Sequence, residues 1–181
     1  MERNLCVAGF GGQGVMTLGK FLAQVACDST DKNVTFFPSY GAEQRGGTAN
    51  CYVVIADGTV GAPVSDTMDD LIVMNGASLN KFLPRLNHGG TLFINSSIVR
   101  SDINRSDVKV VSAPVTEMAL EMGNAKVLNV IMLGVYVGYT KVIDTAIVWK
   151  TIKKKLAKKV KLLPLNQAAF EKGLECGRKQ R

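Results

Sequence analysis

The stretch "NLCVAGFGGQGVMTLGKFLAQVACD", Asn4 to Asp28, narrows the folding choices more than any other part of the chain. An apolar run ends in a glycine-rich turn, after which Val15, Leu18, Leu22 and Val25 recur at helical spacing. A strand, a tight turn and a one-faced helix in that order must lay the helix on a sheet. The pattern then repeats. "VTFFPSYG" predicts a second strand stopped by Pro38, and "TANCYVVIADGTVGAPV" alternates until Asp57-Gly58, a hairpin turn. Ala49, Cys51, Val53 and Ile55 fall on one face of it, with Thr48, Asn50 and Tyr52 on the other.

"DDLIVMN" predicts a buried strand and "ASLNKFLPRL" a helix, and Gly89-Gly90 turns into the strand "TLFINSS". "VKVVSAP" is a further strand. "VTEMALEMG", "AKVLNVIMLGVYVGYT", "TAIVWKTIKKKLAKKV" and "LNQAAFEKGLECG" are helices, the second apolar nearly all round and hence interior. The expected architecture is α/β: an open, mostly parallel Rossmann-like sheet with an inserted β-hairpin and helices on both faces. Residues 1–181 read as one domain, closing in a helical, lysine-rich segment over about 141–181.

Composition excludes several classes. The chain is 46% apolar and 20% charged, a globular balance. No apolar signal segment follows "MERNLCVAGF", and "VLNVIMLGVYVGY" is interrupted by Asn129, Gly134 and Gly138, so no membrane span is expected and the chain reads as cytoplasmic. Cys6, Cys27, Cys51 and Cys176 have no C-x-x-C spacing and the one histidine is His88, a poor set for a metal or iron–sulfur site. Cys6 and Cys51 read as core thiols, and Met16, Met74 and Met132 as core filler. From Lys141 onward there are twelve basic and three acidic residues, so the formal charge of +7 arises from the last segment. Trp149, Ile152, Leu156 and Val160 make a narrow apolar stripe, with Lys153, Lys154, Lys155 and Lys158 off it on a solvated basic face or one that docks an acidic subunit. No interleaved aromatic supports nucleic-acid binding. Gly134 and Gly138 share a helix face and read as close-packing points.

Two glycine loops carry the candidate chemistry. Gly9, Gly11 and Gly14 fit G-x-G-x-x-G between a strand and a helix, where backbone N–H groups and the helix N-terminus favour an anion. Ordinary NAD binding also needs a carboxylate at the end of the second strand, and that place falls near Pro38 and Ser39. A P-loop is ruled out because Val15 follows Gly14. The second loop, "PSYGAEQRGGTANC", sets Glu43, Gln44 and Arg45 side by side before Gly46 and Gly47. Arg45 offers a planar fork for carboxylate or phosphate, and an internal Glu43–Arg45 ion pair is the plain alternative. Strand-end loops of a wound sheet converge, which places this loop near "GFGGQG".

Together "GFGGQGV", "PSYGAEQRGGTANC", "VMNGASLNKF" and "GGTLFINSS" resemble the gamma subunit of 2-oxoacid:ferredoxin (or other acceptor) oxidoreductases, over residues 3 to about 140. "EMGNAKVLNVIMLG" resembles the family's interior helix, while "RGGTANC" and "VMN" look more like subunits acting on 2-oxoglutarate or branched-chain oxoacids than on pyruvate. The resemblance implies a complex that converts a 2-oxoacid and coenzyme A to acyl-CoA and carbon dioxide, succinyl-CoA in the 2-oxoglutarate case. It implies alpha, beta and delta (ferredoxin-like) partners, with thiamine diphosphate and [4Fe–4S] clusters in those subunits and ferredoxin or flavodoxin as acceptor. It implies no catalytic residue and no cofactor held by this chain alone. Candidate contacts to coenzyme A or to a partner, the latter favoured, are Gly11, Gly12, Gln13, Gly14, Ser39, Tyr40, Glu43, Gln44, Arg45, Gly46, Gly47 and Asn50. The rivals are a subunit for indolepyruvate or branched-chain oxoacids, an independent nucleotide-binding module, and a scaffold without a ligand.

Overall fold

The computed structural model describes residues 2–39, 48–157 and 159–181. Strand β1 (Glu2–Phe10) is buried from Leu5 to Ala8 because both its faces are covered, which explains a continuous apolar run in place of alternation. Helix α1 (Val15–Ser29) sinks Val15, Leu18, Leu22 and Val25 into the core, as their spacing predicts. Burying these four contributes on the order of 8 kcal/mol before ordering entropy is subtracted.

Strands β2 (Asn33–Ser39), β3 (Thr48–Ala56), β4 (Met68–Val73), β5 (Leu86–Asn95) and β6 (Lys109–Ala113) complete a six-stranded sheet of order β2-β3-β1-β4-β5-β6. β3 runs antiparallel to β2 and β1, and the remaining pairs are parallel. The expected fold class is the one observed, with the hairpin formed by β2 and β3.

Three local expectations need correction. Asp57-Gly58 closes no hairpin: β3 pairs back onto β2 and β1, and no strand lies between Ala56 and Met68. β2 passes through Pro38 to Ser39, because an edge strand can spare one N–H. Gly89 and Gly90 lie inside β5, where the register jumps from Met68↔Leu86 to Asp70↔Thr91, and Gly89 takes φ 74° within this irregularity.

Helices α2 (Gly76–Phe82), α3 (Val115–Glu121), α4 (Leu128–Thr140), α5 (Thr145–Lys155) and α6 (Leu163–Lys179) cover the two faces. Val7, Cys51, Val53, Ile72 and Phe93 meet α1 and the C-terminal helices. Cys6, Ala8, Tyr52, Leu71 and Leu92 meet α2 on the other side. The alternation expected for β3 is thus correct, as is the core placement of Met74 and Met132. α5 stops at Lys155, short of the predicted end, and Val160 lies in a separate 3-10 turn at 65% exposure, off the apolar stripe. Lys153, Lys154 and Lys155 complement the negative C-terminal end of the helix dipole, and another turn would stack further lysines at like-charged i,i+4 positions.

α4 is interior, as expected, with Ile131 to Gly138 all buried. Its Gly134 and Gly138 oppose Gly173 and Gly177 of α6 at backbone-to-backbone distance. No helix among the described residues is long and apolar enough to cross a membrane. At the N-terminal ends of the parallel strands, fully buried Asp70 takes a bidentate pairing from Arg3 and a 2.9 Å hydrogen bond from Tyr136 Oη. One charged group therefore joins β1, β4 and α4.

Candidate functional site

β1, β2 and β4 end at one edge of the sheet, and β3 begins there. Phe10 lies opposite Thr48, Asn50 lies between Ala8 and Ser39, and the residues flanking 40–47 therefore emerge beside Gly11–Gly14. The convergence expected of the two glycine loops holds for these flanks. Tyr40, Glu43, Gln44, Arg45, Gly46 and Gly47 lie outside the described residues.

The first loop is held by a side chain. Phe10 N–H donates to Gln13 Oε1 at 2.7 Å, and Gln13 Nε2 donates to the Met74 carbonyl at 3.0 Å. The amide of Gln13, a candidate contact to coenzyme A or a partner, ties the loop to the end of β4. Gly14 follows as the N-cap of α1 with φ 71° and ψ 21°, a left-handed conformation that a residue with a Cβ adopts only under strain. No side chain caps α1 and no acidic residue stands in its first turn. The partial positive charge of the helix end is left to whatever anion approaches.

A polar cluster surrounds this edge. Asn75 Oδ1 accepts from Ser78 N–H at 2.8 Å and starts α2, from which Lys81 Nζ reaches Thr48 Oγ1 at 3.4 Å. Asn50 is buried and Ser39 half-buried. Ser78 Oγ and Asn95 Oδ1 are enclosed without a hydrogen-bond partner among the described residues. Sequence reasoning missed Asn75 and Lys81 as parts of this edge. An asparagine three residues before Ser78, opening a helical pattern, was the signal for the cap. On the neighbouring face Arg85 donates to Tyr52 Oη at 2.8 Å, and burial raises the Tyr52 hydroxyl pKa.

Replacing Gln13 by alanine should destabilise the chain by about 1–2 kcal/mol, because the buried Met74 carbonyl and the Phe10 N–H lose their shared partner. Urea unfolding and amide exchange at Phe10 measure it; an unchanged midpoint with unchanged exchange would contradict the clamp.

The geometry works against a dinucleotide. In that fold the second strand adjoins the first, and its terminal acidic residue reaches the ribose. Here antiparallel β3 separates β2 from β1, which moves the end of β2 to about 10 Å from β1. Asn33–Ser39 also contains no carboxylate. The cysteines do not fit an iron–sulfur cluster: Cys6 and Cys51 point into opposite faces of the sheet, Cys27 is exposed on α1, and Cys176 sits on α6. Burial pushes the Cys51 thiol up to about 12 and Cys6 up as well, so neither is a thiolate at neutral pH. Among the described residues no group of three or more His, Cys, Asp or Glu is placed to hold a metal ion.

Residues 4–176 match the family model of pyruvate ferredoxin/flavodoxin oxidoreductase. The chain belongs to that family. It is 38% identical over 179 residues to ketoisovalerate oxidoreductase subunit VorA of Methanothermobacter thermautotrophicus, covering 98% of this chain and 37% of that relative. It is 28% identical over 180 residues to 2-oxoglutarate synthase subunit KorC of Methanocaldococcus jannaschii, covering 98% of this chain and 95% of that one. The crystal structure of the keto/oxoacid ferredoxin oxidoreductase gamma subunit from Geobacter sulfurreducens superposes with a TM-score of 0.87 at 25% identity, over 99% of this chain and 98% of that one. The family resemblance read from the four stretches "GFGGQGV", "PSYGAEQRGGTANC", "VMNGASLNKF" and "GGTLFINSS" is thereby established. The chain spans little more than a third of the VorA relatives it matches.

Proposed function

We propose that this chain is the gamma-type subunit of a multisubunit 2-oxoacid:ferredoxin (acceptor) oxidoreductase. The observation that supports it best is the end-to-end likeness to a gamma subunit, with 99% and 98% of the two chains superposed. The complex would convert a 2-oxoacid, coenzyme A and oxidised acceptor to acyl-CoA, carbon dioxide and reduced acceptor. Thiamine diphosphate, bound in partner subunits, supplies the carbanion chemistry. This chain binds and orients. The N–H groups of Gly11, Gly12 and Gly14 and the uncapped start of α1 face an anion or a partner carboxylate, and Arg45 meets a phosphate or carboxylate. Alpha, beta and delta subunits are its partners, and ferredoxin or flavodoxin is the acceptor.

Two acids have a specific observation each. The 28% identity to KorC, over 98% of this chain, supports 2-oxoglutarate going to succinyl-CoA. The higher identity to VorA supports a branched-chain oxoacid. The complex, purified through a tag on this chain, should reduce a viologen dye only with coenzyme A and one of these acids, assayed beside indolepyruvate. Turnover by the isolated chain, or full activity of a complex stripped of it, would overturn the proposal. In the same assay Arg45→Ala should raise the KM for coenzyme A or weaken assembly about tenfold, as loss of one charge-assisted contact implies. Unchanged values of both would remove Arg45 from the site.

A further inference from the structure

Away from the glycine loops, α1, α4 and α5 enclose an open groove of about 630 Å³. Leu18, Phe21, Leu133 and Leu156 form an apolar floor, and Lys126, Lys155 and Lys159 stand on its rim. No Asp or Glu lines it among the described residues. Lys155 lies with Nζ 4.7 Å from the Phe21 ring centroid, and Lys20 adds like charge next to it, with Asp28 the carboxylate in electrostatic reach. Leu162, 38% exposed, carries the apolar lining to the open mouth of the groove. An open groove of this size is larger than a small anion fills and calls for a longer occupant, and three cations above an uncharged floor call for an acidic one.

We propose that this groove receives an acidic, apolar-studded segment of another subunit of the same oxidoreductase, its apolar side chains on the Leu18–Phe21–Leu133–Leu156 floor and its carboxylates on Lys126, Lys155 and Lys159. The proposal rests on the subunit reading above. It gives the lysine-rich end of the chain a direction: exposed lysines on α5 and beyond become the positive side of an interface.

The test compares the complex, recovered through a tag on the thiamine-binding subunit, with the isolated chain. Both are acetylated briefly and the lysines read by mass spectrometry, with exposed Lys109 at the far edge of the sheet as reference. Lys126, Lys155 and Lys159 should be protected about tenfold or more in the complex, and a triple charge reversal (K126E, K155E, K159E) should weaken assembly at least about 30-fold, since like charges then face each other. All three lysines are exposed, so the variant should fold, with its unfolding midpoint lowered only slightly by the negative charge at the C-terminal end of α5 and the lost Lys155–Phe21 contact. If it fails to fold, footprinting of the unaltered complex decides alone. Equal acetylation in both states, or assembly of the variant at full strength, overturns the groove proposal and leaves the subunit reading standing. Protection in the isolated chain that follows dimer formation, or that vanishes when a small anion is washed out, overturns it in favour of those occupants. Failure of the tagged subunit to recover the unaltered chain removes the subunit reading and the groove proposal together.

Discussion

Substituting Gly173 with leucine should abolish soluble folded protein, and Gly173→Ala should lower stability by about 2–3 kcal/mol. A Cβ at Gly173 would stand 2.1 Å from the Ile131 carbonyl oxygen, and one at Gly177 would stand 2.2 Å from that of Val135. From the other helix, a Cβ at Gly134 would meet the Phe170 carbonyl at 2.5 Å, and one at Gly138 that of Leu174 at 2.6 Å. Every obstacle is backbone, so no rotamer change relieves it and α4 and α6 must separate. Alanine in a helix interior gains up to about 1 kcal/mol of propensity over glycine. Overpacking a tight core costs about 1–3 kcal/mol or more, and here the close approach extends over two turns. The clash therefore wins. Gly76→Ala is the counter-case, because a Cβ there meets nothing within 4 Å; it should be neutral or slightly stabilising. Urea unfolding of both variants measures the difference. A Gly173→Ala midpoint equal to that of Gly76→Ala would refute the packing argument.

One half of this interface is legible in the sequence. Gly134 and Gly138, four apart in an apolar helix, announce a close approach, but their opposite numbers Gly173 and Gly177 sit in a polar-looking helix and pass for casual glycines. One half of a contact pattern does not name the other half. The same limit governs the sheet. Alternation in β3 gave its two faces correctly, since a period of two depends only on local geometry. The insertion of β3 between β2 and β1 is a long-range pairing that no local period encodes, and Asp57-Gly58 suggested a hairpin that does not form. At the candidate site, the strand–glycine–helix order was legible because glycine is required where φ is positive, as at Gly14. The use of Gln13 was not. A glutamine amide suits a ligand or its own backbone equally well, and Met74, the acceptor of its N–H, stands 61 residues away in the sequence. The end of α5 was misjudged for an electrostatic reason: an apolar stripe predicts helix continuation, while a run of lysines favours stopping near the C-terminal dipole.

Asp70→Ala should destabilise the chain by about 3 kcal/mol and leave the glycine-loop edge intact. Breaking a buried ion pair by removing one partner typically costs about 3–5 kcal/mol, because the other charge is left without compensation. Asp70 is fully buried, but the Arg3 side chain keeps 26% of its surface and can turn partly into water, which argues for the lower end. Tyr136 has no such escape. It is buried, its ring meets Phe93 edge-on at 5.1 Å between centroids, and its hydroxyl has Asp70 as acceptor at 2.9 Å. Tyr136→Phe removes one hydrogen bond to a charged group while the Arg3–Asp70 pair persists, so a loss of about 1.5–2 kcal/mol is expected. The double variant should cost less than the two single losses combined, since each single change already breaks the same bond. Phe10 lies seven positions along β1 from Arg3, roughly 23 Å of strand. The network and the candidate site therefore stand at opposite ends of the sheet, and below its own melting temperature the Asp70→Ala subunit should assemble with unchanged affinity. Full additivity of the Asp70 and Tyr136 losses in urea titrations would show that the two groups act separately, and weakened assembly of a folded Asp70→Ala chain would show that this end of the sheet also carries a contact.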